Sequence, residues 1–163
     1  NNNKVNLIAE DLGEASADAA VLRNKYGIPG MNVLQFLFYD GDSIDNIEEN
    51  TVLYTGTHDN DTSIGWFESL DSKLSSDEIN DLKNILNPDS KGMNWSMIEY
   101  SFQARAKTVI VPVQDILGLG SDSRMNTPGT ISENNWSWRM DGSELKDTML
   151  RKMRDITEEA NRA

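Results

Sequence analysis

The chain has 163 residues, of which 37% are hydrophobic and 26% are charged, a composition that fits a folded domain and excludes disordered and collagen-like classes. Its net charge of −12 argues against nucleic acid as a partner, because phosphates are neutralised by a basic surface. No apolar run approaches the roughly 20 residues that cross a bilayer, which argues against a membrane partner. Cysteine is absent, which excludes disulfides and thiolate chemistry.

The first residues carry no signal-peptide pattern and run directly into an apolar segment. We therefore interpret the beginning as an internal cut, and we expect a cytoplasmic protein.

Residues 1–55 predict three strands and one helix. Apolar residues predict a buried strand at 5–9. Residues 16–26 predict a helix, because cations lie in its last turn and Gly27 follows as a C-cap. Two further strands are predicted at 31–38 and 51–55.

Helices dominate the rest of the chain. They are predicted at 59–70, 76–86 and 95–106, with Ser75 or Ser76 as the N-cap of the second. A fourth strand is predicted at 108–113, and a polar loop extends to about residue 135. Residues 143–162 predict a final amphipathic helix whose inward face consists of Leu145, Met149, Leu150, Met153 and Ile156.

Strands that alternate with helices are typical of an α/β protein with a parallel sheet. Four strands do not close a barrel, so the pattern predicts half of a (β/α)₈ barrel. Polar residues follow the strands at Glu10, at 57–59 and at Gln114-Asp115. In such a barrel this end of the strands is the active face.

Glu10 and Asp59 are candidate catalytic carboxylates. A carboxyl group partly buried at the mouth of a strand can have its pKa raised enough to donate a proton near neutral pH. Two carboxylates across one cleft are how glycosidic bonds are broken. Structural alternatives remain open: the acids near Glu10 could serve the next helix dipole, and Asp59 or Asn60 could be an N-cap.

His58 is the only histidine, and it lies beside Asp59. It could be a ligand, a base or a hydrogen-bond donor, but a metal site is not expected, because zinc needs about four good ligands. Trp136 and Trp138 would share one side of an extended chain. They could stack against sugar rings or pack under the long loop.

Six motifs, in this order, resemble the amylomaltases, or disproportionating enzymes, which are 4-α-glucanotransferases. They are IAEDLG at 8–13, GMNVLQF at 30–36, YTGTHDNDT at 54–62, PVQDIL at 112–117, GSDSRMNTPG at 120–129 and NWSWR at 135–139. The resemblance implies that residues 1–163 are the C-terminal half of an amylase-type (β/α)₈ TIM barrel, strands 5 to 8. Strands 1 to 4 and the nucleophilic aspartate would lie outside this chain.

The resemblance also implies a retaining transfer of α-1,4-glucan segments without a cofactor. Glu10 matches the general acid/base and Asp59 the aspartate that stabilises the transition state. Asp11, His58 and Asn126 match substrate-binding positions. The chain alone would be inactive, and it would associate with itself or with the missing half. Alternatives are an α-glucan hydrolase that uses water as the acceptor, or a non-catalytic half-barrel.

Overall fold

Three short parallel strands form one sheet in the computed structural model, which describes residues 6–13, 16–88 and 91–162. The strands are β1 (Gly30–Val33), β2 (Thr51–Tyr54) and β3 (Thr108–Ile110), and β2 lies between the other two. Both pairs are parallel, with Gly30 opposite Thr51 and Val52 opposite Thr108. The carboxyl ends of all three strands therefore meet at one edge of the sheet.

Seven helices surround these strands in the described part of the chain. They are α1 (Ser16–Tyr26), α2 (Leu34–Asp40), α3 (Ser63–Glu68), α4 (Ser76–Leu86), α5 (Met93–Phe102), α6 (Val113–Leu117) and α7 (Asp147–Glu159). Short 3₁₀ turns lie at Ile44–Asn46, Leu70–Ser72 and Ser121–Ser123. The α/β class is thus confirmed, and the described residues form an open sheet, not a closed barrel.

Two predicted strands differ from the structure. The segment predicted at 5–9 is not a strand in its described part, 6–9, although the Ala9 N–H donates to the Pro29 carbonyl at 2.9 Å, just before β1. The run predicted at 31–38 leaves the sheet after Val33 and becomes α2. Both Leu34 and Leu37 are buried, a spacing of three that suits a helix, and a short apolar run does not distinguish the two structures by itself.

The predicted helices are mostly longer than the observed ones. The helix predicted at 59–70 begins only at Ser63, and that at 143–162 is confined to α7. On the predicted inward face of α7, Ile156 is buried, but Leu150 is 49% exposed. The helix at 16–26 has the predicted bounds, and Gly27 adopts the left-handed conformation of a C-cap, with φ +64°.

Two buried apolar clusters hold the helices against the sheet. The larger joins β2 to α2, α3, α4 and α5, with Leu34, Leu53, Leu70 and Met97 fully buried. The smaller packs α5 against α7 through Ile98, Phe102 and Ile156. Arg162 then donates hydrogen bonds to the carbonyls of Phe102, Ala104 and Ala106, which fastens the end of the chain to the turn after α5.

None of the helices within the described ranges is long and apolar enough to cross a membrane.

Candidate functional site

A groove of about 1020 Å³ contains the two carboxylates that sequence analysis singled out. Glu10, His58 and Asp59 all line it, although they lie far apart in the chain. Glu10 is exposed to solvent, not partly buried. The groove is also lined by aromatic side chains, among them Phe36, Tyr39, Tyr54 and Trp66. It thus combines acidic groups with flat apolar surfaces, which suits a neutral ligand with hydroxyl groups and C–H faces.

His58 and Asp59 lie on a loop, residues 56–62, between β2 and α3. The loop is folded on itself: the Asn60 side-chain oxygen accepts from both the N–H and the hydroxyl of Thr57, at 2.9 and 2.7 Å. The Thr57 hydroxyl in turn accepts from the Asp59 N–H at 3.2 Å. These short-range bonds hold the backbone around His58 and Asp59 in one conformation, which is the usual requirement for a binding group.

The N-cap of α3 is Thr62, whose hydroxyl accepts from the Gly65 N–H at 3.1 Å. The alternative that Asp59 or Asn60 caps this helix is therefore wrong, because the helix begins later than the sequence suggests. The carboxylate of Asp59 therefore does not cap α3.

Neighbouring segments fasten the 56–62 loop from both sides. Buried Gln35, at the start of α2, donates to the Asp61 carbonyl at 2.8 Å. A methyl group on Gly56 would lie 2.9 Å from the Gln35 amide nitrogen, so a glycine there allows this approach. Arg124, which also lines the groove, donates from Nη2 to the Asp59 carbonyl at 2.6 Å.

Asn126 contacts the side chain of Asp59 directly. Its amide donates to Asp59 Oδ1 at 2.6 Å, and His58 Nε2 lies 3.5 Å from the same oxygen. About half of each of the His58 and Asp59 side chains, 54% and 47%, is exposed. Three of the five predicted site residues are thus brought together around one carboxylate that still faces solvent.

Trp136 lies against His58, with ring centroids 5.1 Å apart. Its backbone has φ +63°, unusual for a bulky residue, and its N–H donates to the Met125 carbonyl at 2.6 Å. The expectation of an extended segment carrying Trp136 and Trp138 on one side is therefore wrong here. Trp136 is 54% exposed, whereas Trp138 is half-buried.

The segment before Asn126 packs closely on the start of α3. The Ser121 hydroxyl donates to Asp61 Oδ2 at 2.8 Å. A methyl group on Gly65 would lie 2.2 Å from the Ser121 hydroxyl oxygen, so a side chain at this position would push the two segments apart. Glycine in the first turn of α3 thus lets the segment that carries Arg124 and Asn126 reach Asp59.

Asp11 is placed differently from the other predicted site residues. Its Oδ2 accepts from Arg23 Nε at 2.6 Å, and its Oδ1 accepts from the Met31 N–H at 3.0 Å. It ties α1 to β1 and is not among the residues that line the groove. A methyl group on Gly30 would lie 2.5 Å from Asp11 Oδ2, so this ion pair needs the glycine.

Asp115 is a buried carboxylate that sequence analysis noted only as a polar residue after a strand. It lies in α6, is 1% exposed, and accepts from the Thr55 hydroxyl at 2.6 Å and the Ser63 N–H at 2.7 Å. Burial raises the pKa of Asp115 above its ordinary value, and the charge of Asp61 acts in the same direction, while the hydrogen bonds oppose it. Gln35 and Arg124 were also missed, since neither belongs to a recognisable catalytic spacing.

No group of three potential metal ligands among His, Cys, Asp and Glu is found where the structure is described.

The chain is similar to 4-alpha-glucanotransferases in sequence. The family model described as 4-alpha-glucanotransferase, glycoside hydrolase family 77, matches residues 1–146. A chloroplastic/amyloplastic 4-alpha-glucanotransferase of Arabidopsis thaliana is 45% identical over 90% of this chain and 25% of its own length. The 4-alpha-glucanotransferase of Thermus thermophilus is 37% identical over 95% of this chain and 33% of its own length.

Solved structures agree with the sequence comparisons. An amylomaltase from Streptococcus agalactiae in complex with acarbose superposes with a TM-score of 0.85 at 35% identity, over 96% of this chain and 32% of that one. The chain therefore spans about a quarter to a third of the length of the relatives that it matches. Because the family model covers most of the sequence, the chain belongs to the 4-alpha-glucanotransferase family.

Proposed function

We propose that the full-length protein carrying this chain is a 4-α-glucanotransferase that moves α-1,4-glucan segments to the 4-hydroxyl of an acceptor glucan or glucose. The observation that carries the proposal is the shared groove: Glu10, His58 and Asp59 line it together, in a chain of this family. Its aromatic walls support an oligosaccharide ligand, because sugar C–H faces stack on aromatic rings. We expect acarbose to bind in the same groove.

The reaction would proceed with retention in two displacements. A carboxylate from upstream of this chain attacks the anomeric carbon, while Glu10 donates its proton to the leaving oxygen. Glu10 then removes the proton of the acceptor hydroxyl, which displaces the enzyme carboxylate and re-forms a glycosidic bond. No cofactor enters either step.

Asp59 would bind hydroxyl groups of the reacting sugar most tightly as the ring flattens in the transition state, where binding accelerates the reaction. The Asn126 amide donates to one oxygen of this carboxylate, and the other oxygen would remain available to the ligand. His58 would donate to a sugar hydroxyl. Asp11 would reach the ligand only with the lone pairs that Arg23 and Met31 leave free.

We propose that residues 1–163 form the C-terminal part of the catalytic barrel, with β1, β2 and β3 as its strands 6, 7 and 8. The segment 6–9, although it is not a strand here, would occupy the position of strand 5 beside β1, and the hydrogen bond from the Ala9 N–H to the Pro29 carbonyl supports that position. We propose that the full-length protein is cytoplasmic, whereas the Arabidopsis relative is described as chloroplastic/amyloplastic.

The test uses the full-length protein and maltotriose. We expect a ladder of longer oligomers together with glucose, which only transfer produces. A hydrolase would yield shorter sugars alone, and no product at all would contradict both enzymatic functions.

The variants Glu10→Gln and Asp59→Asn should lower the transfer rate by roughly 100- to 10,000-fold, the usual contribution of a proton-transferring or charge-stabilising group. Glu133→Gln, an exposed acid in the loop beyond Arg124, serves as the matched control and should retain the rate. Near-normal turnover in either carboxylate variant would contradict the assigned roles.

A further inference from the structure

Asp115 is a buried carboxylate for which the proposed mechanism has no use. Its two oxygens bind donors from different elements: Oδ2 accepts from the Thr55 hydroxyl at 2.6 Å, and Oδ1 accepts from the Ser63 N–H at 2.7 Å. Thr55 directly precedes the 56–62 loop and Ser63 directly follows it. One carboxylate therefore ties together the two ends of the loop that carries His58 and Asp59.

Asp115 is itself held in place. The buried Asn94 side chain, from α5, donates to the Asp115 carbonyl at 2.8 Å, and the Asp115 N–H donates to the Pro112 carbonyl at 3.0 Å. Gly118, at φ +68°, ends α6 beside the same amide, where a methyl group would lie 3.1 Å from the Asn94 nitrogen. The backbone of Asp115 is thus held to Asn94 of α5 and to Pro112, which fixes the position from which its carboxylate reaches the loop.

Helix capping explains only half of this arrangement. The bond to the Ser63 N–H satisfies one of the free N–H groups at the start of α3, and Thr62 already caps that helix. The bond to the Thr55 hydroxyl satisfies no N–H group of α3, because Thr55 directly follows β2. A carboxylate that binds both donors sets the distance between the ends of the loop.

We propose that Asp115 is a positioning residue for the transfer reaction, holding Thr55 and Ser63 so that His58 and Asp59 stand correctly in the groove. This rests on the proposed function. Asp115 is 1% exposed and does not line the large groove; it lines a smaller cavity of about 150 Å³ together with loop residues, among them His58 and Asp61. It therefore acts through the loop and not on the ligand.

The test compares Asp115→Ala with Asp115→Asn in the full-length protein. Alanine removes both bonds, and a displacement of about 1 Å at the reacting groups lowers kcat on the order of 100-fold. The KM for the donor glucan should change little, because the lost alignment matters chiefly in the transition state. Asparagine should restore most of kcat, since its oxygen accepts from the Ser63 N–H and its amide donates to the Thr55 hydroxyl oxygen.

Leu86→Ala is the matched control for stability. Leu86 is buried in α4, so its truncation should destabilise the fold while leaving every hydrogen bond of the 56–62 loop in place. Below its unfolding temperature this variant should keep the wild-type kcat. Wild-type kcat in Asp115→Ala, or an equal loss in Leu86→Ala, would overturn the proposal.

Hydrogen exchange of the same proteins gives a readout independent of activity. Asp115→Ala should speed exchange of the amides at 57–63 and leave α4 unchanged; unchanged exchange in the loop would overturn the proposal. A wild-type protein that transfers no glucan would instead refute the proposed function. In that case, faster exchange at 57–63 in Asp115→Ala would still show that Asp115 holds the loop in place.

Discussion

Asp59 owes its orientation to residues that lie about 65 positions later in the chain, a separation at which no local pattern operates. Arg124 binds its carbonyl and Asn126 binds its carboxylate, at 2.6 Å in both cases. Two acids in or beside the 56–62 loop are placed differently: Asp59 lines the groove, whereas Asp115, in α6, is buried.

The buried Asp115 should make stability depend on pH. Because burial raises the pKa of Asp115 in the folded protein above 3.8, the folded state binds this proton more tightly than the unfolded state. Its contribution to stability is therefore greatest below about 3.8 and is lost as the pH rises through the raised pKa.

Asparagine at this position does not titrate. We expect the free energy of unfolding of Asp115→Asn, relative to that of the wild type, to increase as the pH rises from 4 to 7, because only the wild type loses this contribution to stability. Urea unfolding at several pH values measures this difference, in which the other carboxylates cancel. Asp122→Asn, at an exposed position, should show no such trend, and a difference that falls with pH for Asp115→Asn would contradict the prediction.

At the scale of elements, the ends of helices decide which side chains are free for binding. The start of α3 at Ser63, four residues after Asp59, leaves the 56–62 loop irregular and its polar groups available. By contrast, α4 begins with a complete capping box, in which the Ser75 hydroxyl accepts from the Glu78 N–H and the Glu78 carboxylate accepts from the Ser75 N–H. The sequence allows either Ser75 or Ser76 as the N-cap of α4, and in the structure the cap is Ser75.

Ser75→Ala should therefore destabilise the protein by about 1 kcal/mol, the usual effect of removing an N-cap hydroxyl. Ser76→Ala is the matched control, since Ser76 is the first residue within the helix, where alanine is well tolerated. Thermal unfolding of the two variants side by side measures the difference. Equal stability of the two would contradict the assignment of the cap.

At the scale of the whole molecule, the exposed apolar side chains are unevenly distributed. Five of them, Leu7, Ile8, Val21, Leu22 and Tyr26, lie within the first 26 residues, and Val21 and Leu22 are 72% and 59% exposed. Leu22 and Tyr26 are four residues apart on α1 and so share one face. An uncovered apolar face of this kind usually belongs to an interface.

We expect the isolated 163-residue chain to self-associate through this face, and to show no transfer activity. The double variant Leu22→Lys with Tyr26→Lys should shift it toward the monomer in sedimentation velocity. Ile131→Lys is the matched control, because Ile131 is fully exposed but lies in a polar loop, so its replacement should leave association unchanged. A monomer in all three cases, or activity of the isolated chain, would contradict the expectation.

Part of the site was predictable because its signals are local. Glu10 and the 57–59 cluster directly follow apolar runs, and parallel strands bring such positions to one edge. The helix at 16–26 was predicted with its observed bounds, since a terminal glycine and cations mark its end. Residues 34–38 were assigned wrongly, because an apolar run of that length buries equally well as strand or helix.

The sequence by itself determined the α/β class, the family and two of the acids that line the groove, Glu10 and Asp59, because composition, periodicity and motifs are properties of neighbouring residues. Only the tertiary structure decided how those acids are held. Asp115 reaches across 60 and 52 residues to Thr55 and Ser63, and Gln35 reaches across 26 to Asp61. Such contacts depend on packing of the whole sheet and its helices, which no short segment of sequence encodes.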